Sequence, residues 1–339
     1  MKGTVFLICD IYPELEIQEN VLYQEWESKH SVEYIRDTLY DLGFKVEIYE
    51  PFHDKSKLLD RLTSEIKNNQ RQNTILWNLV EGFYSRNREG YIPNLAEFLG
   101  FPYTGSDSYL QCITLDKDLT KSIARSLGIP TPNSYLCVSK DKIPQIPEFD
   151  FPLFAKPNSE GSSLGINKSS IVLNSSELKV TIDQTPDVFF PILLEEYLPG
   201  EEYTIGIIGS KENVRTLRLC QVQIEGVYGQ DSKSKNYMPE KIIPKNPVNL
   251  RQIPDGTSRL ADKLGFFGFG RADWKLDKEG TPRFLEINLT PGLSPFYSSF
   301  PISYGDGLES YKEMIKEILN ISIVEYEKAS RFYGREFVK

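Results

Sequence analysis

Residues 269–295 read FGRADWKLDKEGTPRFLEINLTPGLSP. Two apolar-rich runs flank the turn Asp277-Lys278-Glu279-Gly280, a pattern that predicts a β-hairpin. Asp273 falls on the first strand, Glu286 and Asn288 on the second. The two-residue period of a strand puts Glu286 and Asn288 on one face and Ile287 on the other. Asp273 can oppose them across the hairpin. The result is an all-oxygen cluster suited to Mg²⁺ held between protein and nucleotide phosphates. Arg271 is in phase with Asp273 and reaches the same face, although a structural ion pair would explain it equally well. Thr290-Pro291-Gly292-Leu293 reads as a turn.

Upstream, KPNSEGSSLG at residues 156–165 follows the apolar run Phe151 to Ala155. Its small residues let backbone N–H groups approach phosphate oxygens closely. The pattern is not G-x-x-x-x-G-K-[ST], which excludes a P-loop, and a plain hairpin turn is the simpler alternative. Lys156 argues against that alternative. A lysine leaving an apolar strand needs an anion to offset its desolvation.

The first hundred residues alternate strand and helix patterns. Val5 to Cys9, Lys45 to Tyr49 and Thr74 to Leu79 read as strands. Val32, Ile35, Leu39 and Leu42, then Leu58, Leu59, Leu62 and Ile66, recur at helical spacing. This βαβαβ order predicts a parallel sheet whose ligands sit beyond the carboxyl ends of its strands, where Trp77 to Gly82 lies. After a break at Pro102 to Ser108, Asp116 to Leu127 reads as a helix closed by Gly128. Strands at Leu153 to Lys156, Ile171 to Leu173 and Ile192 to Glu196, with a helix near Ser176, suggest a small α+β unit. The remainder predicts strands at Tyr203 to Gly209, Thr216 to Glu225, Gly270 to Leu276 and Phe284 to Leu289, with helices near Ser258 and Tyr311.

Composition narrows the function classes. The 339 residues carry a net charge of −9, which offers no broad field for nucleic acid or an anionic membrane. No apolar stretch approaches membrane-spanning length, and Val5 to Cys9, cut off by Asp10, is too short for a secretion signal. Cys9, Cys112, Cys137 and Cys220 lie far apart, without a C-x-x-C pair. That spacing suggests neither a zinc site nor a disulfide framework and fits a reducing cytoplasm.

Five motifs in order, LDKDLTK (115–121), KPNSEGSSLG (156–165), LLEEYLPGEEYT (193–204), GRADW (270–274) and LEINLTPGLS (285–294), resemble the D-alanine:D-alanine ligases and their ATP-grasp relatives. NREGYIPNLAEFLGFPYTGSD (87–107) is similar to the same family, so the resemblance spans roughly Leu76 to Pro295. It implies a three-domain ATP-grasp fold of α/β and α+β parts: a Rossmann-like substrate domain (1–107), a central subdomain (108–194) and a C-terminal catalytic domain (195–339). It also implies an ADP-forming ligase that joins a carboxylate to an amine through an acyl-phosphate. Under this resemblance Lys117 and Lys156 hold ATP phosphates, Glu195 and Leu198 contact adenine, and Glu202 contacts the ribose. For Glu195 to Glu202 alone, a solvated strand edge is the plainer reading. Ser162 and Ser163 would lie in a loop closing over phosphate and substrate. Asp273, Glu286 and Asn288 resemble ligands for Mg²⁺, with Mn²⁺ as an alternative ion. Arg271 and the backbone N–H near Gly292 resemble the groups that stabilise charge on the reacting centre.

Three departures fall on the amino-acid side. The family's Ser-x-Glu element, whose glutamate helps hold the first substrate's amino group, is replaced by Cys9 to Glu16, leaving Glu14 or Glu16 as candidate substitutes. A Lys-Tyr pair has no clean equivalent among Lys233, Lys235, Asn236 and Tyr237, and Glu81-Gly82 stands where many members have His-Gly. Small amino-acid or peptide-like substrates are implied, with alanine itself in question. A non-catalytic nucleotide-binding protein, or a kinase or hydrolase without an amine acceptor, are the competing readings. Val324 to Lys339 lies beyond the family core and reads as an amphipathic or frayed helix that could cap a homodimer or form a solvated tail.

Overall fold

The computed structural model describes residues 2–12, 26–82, 85–147, 150–161, 164–166, 168–223, 240–244 and 250–332. The chain opens with β1 (Thr4–Ile8), α1 (Lys29–Asp41), β2 (Lys45–Tyr49), α2 (Lys55–Lys67) and β3 (Thr74–Asn78). The strands form a parallel sheet in the order β2-β1-β3. Alternation along β1 divides its residues between two cores: Val5 and Leu7 pack with Val32, Ile35 and Leu39 of α1, whereas Phe6 and Ile8 pack with Leu58 and Leu62 of α2. Both faces are therefore covered, as a parallel sheet requires. Ser28 and Asp54 cap the two helices by accepting from the N–H groups of Ser31 and Lys57, each at 3.1 Å.

Next come α3 (Tyr91–Leu99), α4 (Ser108–Leu115) and α5 (Lys117–Ser126). The sequence predicts a helix over 116–127 but neither α3 nor α4. Pro93 falls in the first turn of α3, where proline is tolerated, so it does not signal a break. Asp116 separates α4 from α5: its extended backbone ends one helix, and its carboxylate accepts from Leu119 N at 3.0 Å to cap the next.

A second sheet joins β4 (Ser134–Cys137), β5 (Leu153–Pro157), β6 (Ile171–Val172) and, after α6 (Ser175–Gln184), β7 (Ile192–Glu196) in the antiparallel order β4-β7-β5-β6. The third contains β8 (Glu202–Ser210), β9 (Asn213–Gln223), β10 (Glu240–Ile242) and, beyond α7 (Gln252–Leu264), β11 (Gly268–Leu276) and β12 (Pro282–Asn288), in the order β10-β9-β8-β11-β12. The chain then runs through α8 (Ser299–Tyr304) and α9 (Gly307–Phe332).

The first and last parts of the chain share one core. Met314, Ile315, Ile318 and Leu319 of α9 pack with Val5, Leu7 and Trp77 of the parallel sheet and with Phe269 and Phe300. The helix does not fray at Val324. It continues to Phe332, and Tyr326 donates to the Gly100 carbonyl at 3.0 Å, tying this segment to the N-terminal unit. Residues 333–339 lie outside the described residues. Among the described residues, no helix is long and apolar enough to cross a membrane.

Candidate active site

One cleft draws its walls from α5, the second sheet and the third sheet. Lys117, Lys156, Glu195, Leu198, Glu202, Arg271, Asp273, Glu286, Asn288 and Gly292 all line it. The sequence nominated every one of these from separate motifs. Ser162 and Ser163 lie outside the described residues, as do Glu14, Glu16, Lys233, Lys235, Asn236 and Tyr237.

The floor of the cleft is a buried charge array. Lys156 is the penultimate residue of β5, and its Nζ lies 2.6 Å from Glu195 Oε1 on the neighbouring strand β7. The other carboxylate oxygen of Glu195 is 3.2 Å from Nζ of Lys121, which also donates to the Leu285 carbonyl. Lys117, at the start of α5, donates to the Glu160 carbonyl at 2.6 Å and pairs with Glu286 Oε2 at 3.3 Å. Burial opposes the charges of Lys121, Lys156 and Glu195, and their mutual arrangement decides where each settles. For Lys121 burial wins and brings the ammonium down to about 8; for Lys156 it is outweighed by Glu195 and Glu286, which raise the ammonium. Glu195 is held below the usual carboxylate range by Lys121 and Lys156 despite its burial. A solvated strand edge, the plainer reading of Glu195 to Glu202, does not describe Glu195, which is 3% exposed.

Across the cleft the hairpin has the anticipated form. Asp273 stands opposite Glu286, and Arg271 opposite Asn288. Thr204 of β8 donates its hydroxyl to Asp273 Oδ1 at 2.7 Å, and Arg271 Nη2 donates to Oδ2 at 2.8 Å. The ion pair allowed for Arg271 is thus present, and its side chain still lines the cleft. The Asn288 amide lies 3.3 Å from Asp273 and 3.5 Å from Glu286. Burial raises the Asp273 carboxyl, whereas Lys117, Lys156 and Arg271 overcome burial at Glu286 and hold it far below the normal range.

This donor set fits magnesium in one specific way. Asp273 and Glu286 supply carboxylate oxygens from adjacent strands, with the Asn288 amide nitrogen donating to both, and Mg²⁺ usually takes one or two carboxylates from protein and fills its octahedron with phosphate and water. Among the described residues, no group of three or more His, Cys, Asp or Glu side chains is placed to hold an ion.

At the far end, a Cβ added at Gly292 would meet Ser298 Oγ at 2.8 Å, forcing it to shift, and would stand in ordinary contact with Glu27 Oε1 at 3.8 Å. Glu27, just before α1, brings a carboxylate from the N-terminal unit to the Gly292 loop, and burial pushes its pKa up to about 7. No motif marks Glu27. Glu81, from beyond β3, and Glu89 line the same cleft. Arg88 is 4% exposed and links this unit to the glycine-rich loop, donating to the Ser159 carbonyl at 2.9 Å and to Glu160 Oε2 at 3.1 Å. Lys121 was legible in principle. It follows Lys117 by four residues, which places both on one face of α5.

A family model for the C-terminus of D-ala D-ala ligases matches residues 123–320. The D-alanine–D-alanine ligase of Aquifex aeolicus is 31% identical, with the match covering 68% of this chain and 77% of the relative. That of Nitrosospira multiformis is 30% identical over 70% of this chain and 76% of the relative. The fold is similar to that of the Bacillus anthracis D-alanine–D-alanine ligase crystallised with ATP, at a TM-score of 0.72, with 20% sequence identity and 97% and 100% of the two chains covered. With an ATP-grasp architecture and matching sequence over most of its length, the chain belongs to the D-alanine–D-alanine ligase family, enzymes that form an amide bond at the expense of ATP.

Proposed function

We propose that the protein activates the carboxylate of an amino-acid-like substrate with ATP and transfers the acyl group to an amine, releasing ADP and phosphate. The observation that carries this reading is the meeting of Lys117, Lys156, Arg271, Asp273, Glu286 and Asn288 in one cleft. A non-catalytic binding shell would have no need of a cation array facing an oxygen cluster.

A carboxylate is a poor electrophile, so it first takes the γ-phosphoryl group of ATP, and the amine then displaces phosphate. Lys117 and Lys156 neutralise phosphate charge, which makes phosphoryl transfer a matter of positioning and electrostatics. Leu198 supplies an apolar contact for the base, and Glu202, held by Lys275 at 3.3 Å, faces the ribose. Asp273, Glu286 and Asn288 would hold Mg²⁺, which would supply charge neutralisation at the phosphates. Arg271 and the backbone at Gly292 stabilise negative charge on the reacting acyl group. Ser162 and Ser163 are assigned to the loop that excludes water from the acyl-phosphate. No nucleophilic side chain is required.

Alanine is not the preferred substrate in this reading. Glu27 beside Gly292, and Glu81 and Glu89 in the cleft lining, support recognition of a substrate ammonium by residues outside the usual Ser-x-Glu element. A polar pocket rejects ligands that lack the groups it pairs. We further assign three working parts, 1–107, 108–194 and 195–339, each built around one of the three sheets except that β7 carries the second sheet on to Glu196, and a cytoplasmic setting, supported by the cysteine spacing. The deciding experiment is ADP release screened over paired L- and D-amino acids and short peptides, with mass spectrometry of products. Turnover only with a non-alanine pair is expected. ADP release indifferent to every amine would favour a hydrolase, and efficient D-alanyl-D-alanine synthesis would remove the altered-specificity reading.

A further inference from the structure

We infer that Lys121 is a positioning residue for the nucleotide: from behind the cleft it holds the Glu195 carboxylate and so leaves the charge of Lys156 available to the polyphosphate. The inference rests on the cleft being the ATP site. Lys121 is fully buried and is not among the residues lining the cleft, so it cannot touch a ligand there. Yet its ammonium sits 3.2 Å from Glu195 Oε2, while Lys156, which does line the cleft, sits 2.6 Å from Oε1 of the same carboxylate.

Two ammonium groups thus share one carboxylate. With Lys121 present the trio carries a net positive charge, and that charge is expressed at Lys156, the member that reaches the cleft. Remove the charge of Lys121, and Glu195 and Lys156 become a neutral pair. An anion entering the cleft would then have to compete with Glu195 for Lys156, at short range and in a low-dielectric setting where Coulomb terms are large. Lys121 also donates to the carbonyl of Leu285, the residue preceding Glu286, and its ammonium lies 5.9 Å from the Phe284 ring centroid. One buried side chain therefore fixes α5 against both the nucleotide strand β7 and the metal strand β12.

The test is calorimetry of wild type, Lys121→Gln, Lys121→Met, Glu195→Gln and the double variant Lys121→Met/Glu195→Gln, titrated with ATP and, separately, with adenosine. Lys121→Gln removes charge but keeps a donor for the Leu285 carbonyl. A wild type that binds no ATP would defeat the reading of the cleft itself rather than the role of Lys121. Given ATP binding, both single lysine variants should lose at least tenfold in ATP affinity while adenosine affinity changes less than twofold. In the Glu195→Gln background, Lys121→Met should cost less than threefold, because the carboxylate it restrains is gone. Should Lys121→Met not fold, Lys121→Gln and the charge-matched double variant carry the comparison. Equal losses for ATP and adenosine, or an equal loss with and without Glu195, would reduce Lys121 to a packing residue.

Discussion

Asp273 and Glu286 stand directly opposite one another on β11 and β12, so the hairpin presents one carboxylate from each strand to the cleft. Antiparallel neighbours lie within about 5.5 Å of each other, close enough to share a cation. Two carboxylates this close cannot both carry charge cheaply, and here the burden is divided: Asp273 is pushed up by burial, and Glu286 is held ionised by the surrounding lysines and Arg271. Glu286→Gln should therefore leave the fold intact and lower ADP formation by a hundredfold or more, about 2.7 kcal/mol in the barrier. ADP release titrated with magnesium, alongside a melting curve, checks it. Near wild-type turnover at low magnesium would show that the metal face lies elsewhere.

The two cleft lysines act on phosphate in different settings. Lys156→Ala and Lys117→Ala should each weaken ATP binding by a loss on the order of 1.5 to 3 kcal/mol, the worth of a charge-assisted hydrogen bond. Lys117→Ala should also disturb the glycine-rich loop, because it removes the 2.6 Å bond to the Glu160 carbonyl. Calorimetry of both variants reads the effect. Unchanged affinity in both would remove them from the nucleotide site.

Glu27 sets a pH dependence. Its carboxyl is raised by burial from 4.5 to about 7, so the folded protein holds a proton that the unfolded chain releases in this interval. Its contribution to stability is complete below pH 4.5 and is lost as pH rises towards 7. The linkage is at most roughly 3 kcal/mol. Glu27→Gln should flatten the decline between these pH values in urea unfolding, and it should raise the KM for the amino acid while leaving that for ATP nearly unchanged. An unaltered pH profile together with an unaltered amino-acid KM would place Glu27 outside both roles.

Asp277 organises the hairpin turn without facing the cleft. Its buried carboxylate accepts from Glu279 N at 3.0 Å and Thr281 N at 2.8 Å, and from Arg283 Nε at 2.9 Å. Asp277→Ala should cost on the order of 1 to 2 kcal/mol, since two backbone N–H groups of the turn and the Arg283 guanidinium lose their shared acceptor. The variant should keep its kcat at low temperature. A large loss of kcat in protein that remains folded would show that the turn governs the metal face more directly than its position implies.

The hairpin of β11 and β12 was legible in its turn, its two strands and the period of two that puts Glu286 and Asn288 on one face, whereas the register shift between Asp273 and Trp274 that brings Asp273 opposite Glu286 had no signal in the spacing. The parallel sheet was legible through apolar periodicity along β1, α1 and β2. Lys117, Lys156, Glu195 and Arg271 could be named individually from their motifs. What sequence spacing could not supply was their mutual geometry. Without the other motifs, Glu195 reads as one residue of a solvated strand edge, and only the packing of α5 against β7 and β12 buries it between Lys121 and Lys156. Glu27 is separated from Gly292 by most of the chain, and no local periodicity connects them. Their approach depends on α1 and α9 closing the N-terminal sheet against the third sheet through a shared core. The sequence by itself determined the local elements and the chemistry each could bring. Tertiary structure decided the charge states and partners, because desolvation and Coulomb interactions depend on distances between segments that the order of residues along the chain does not fix.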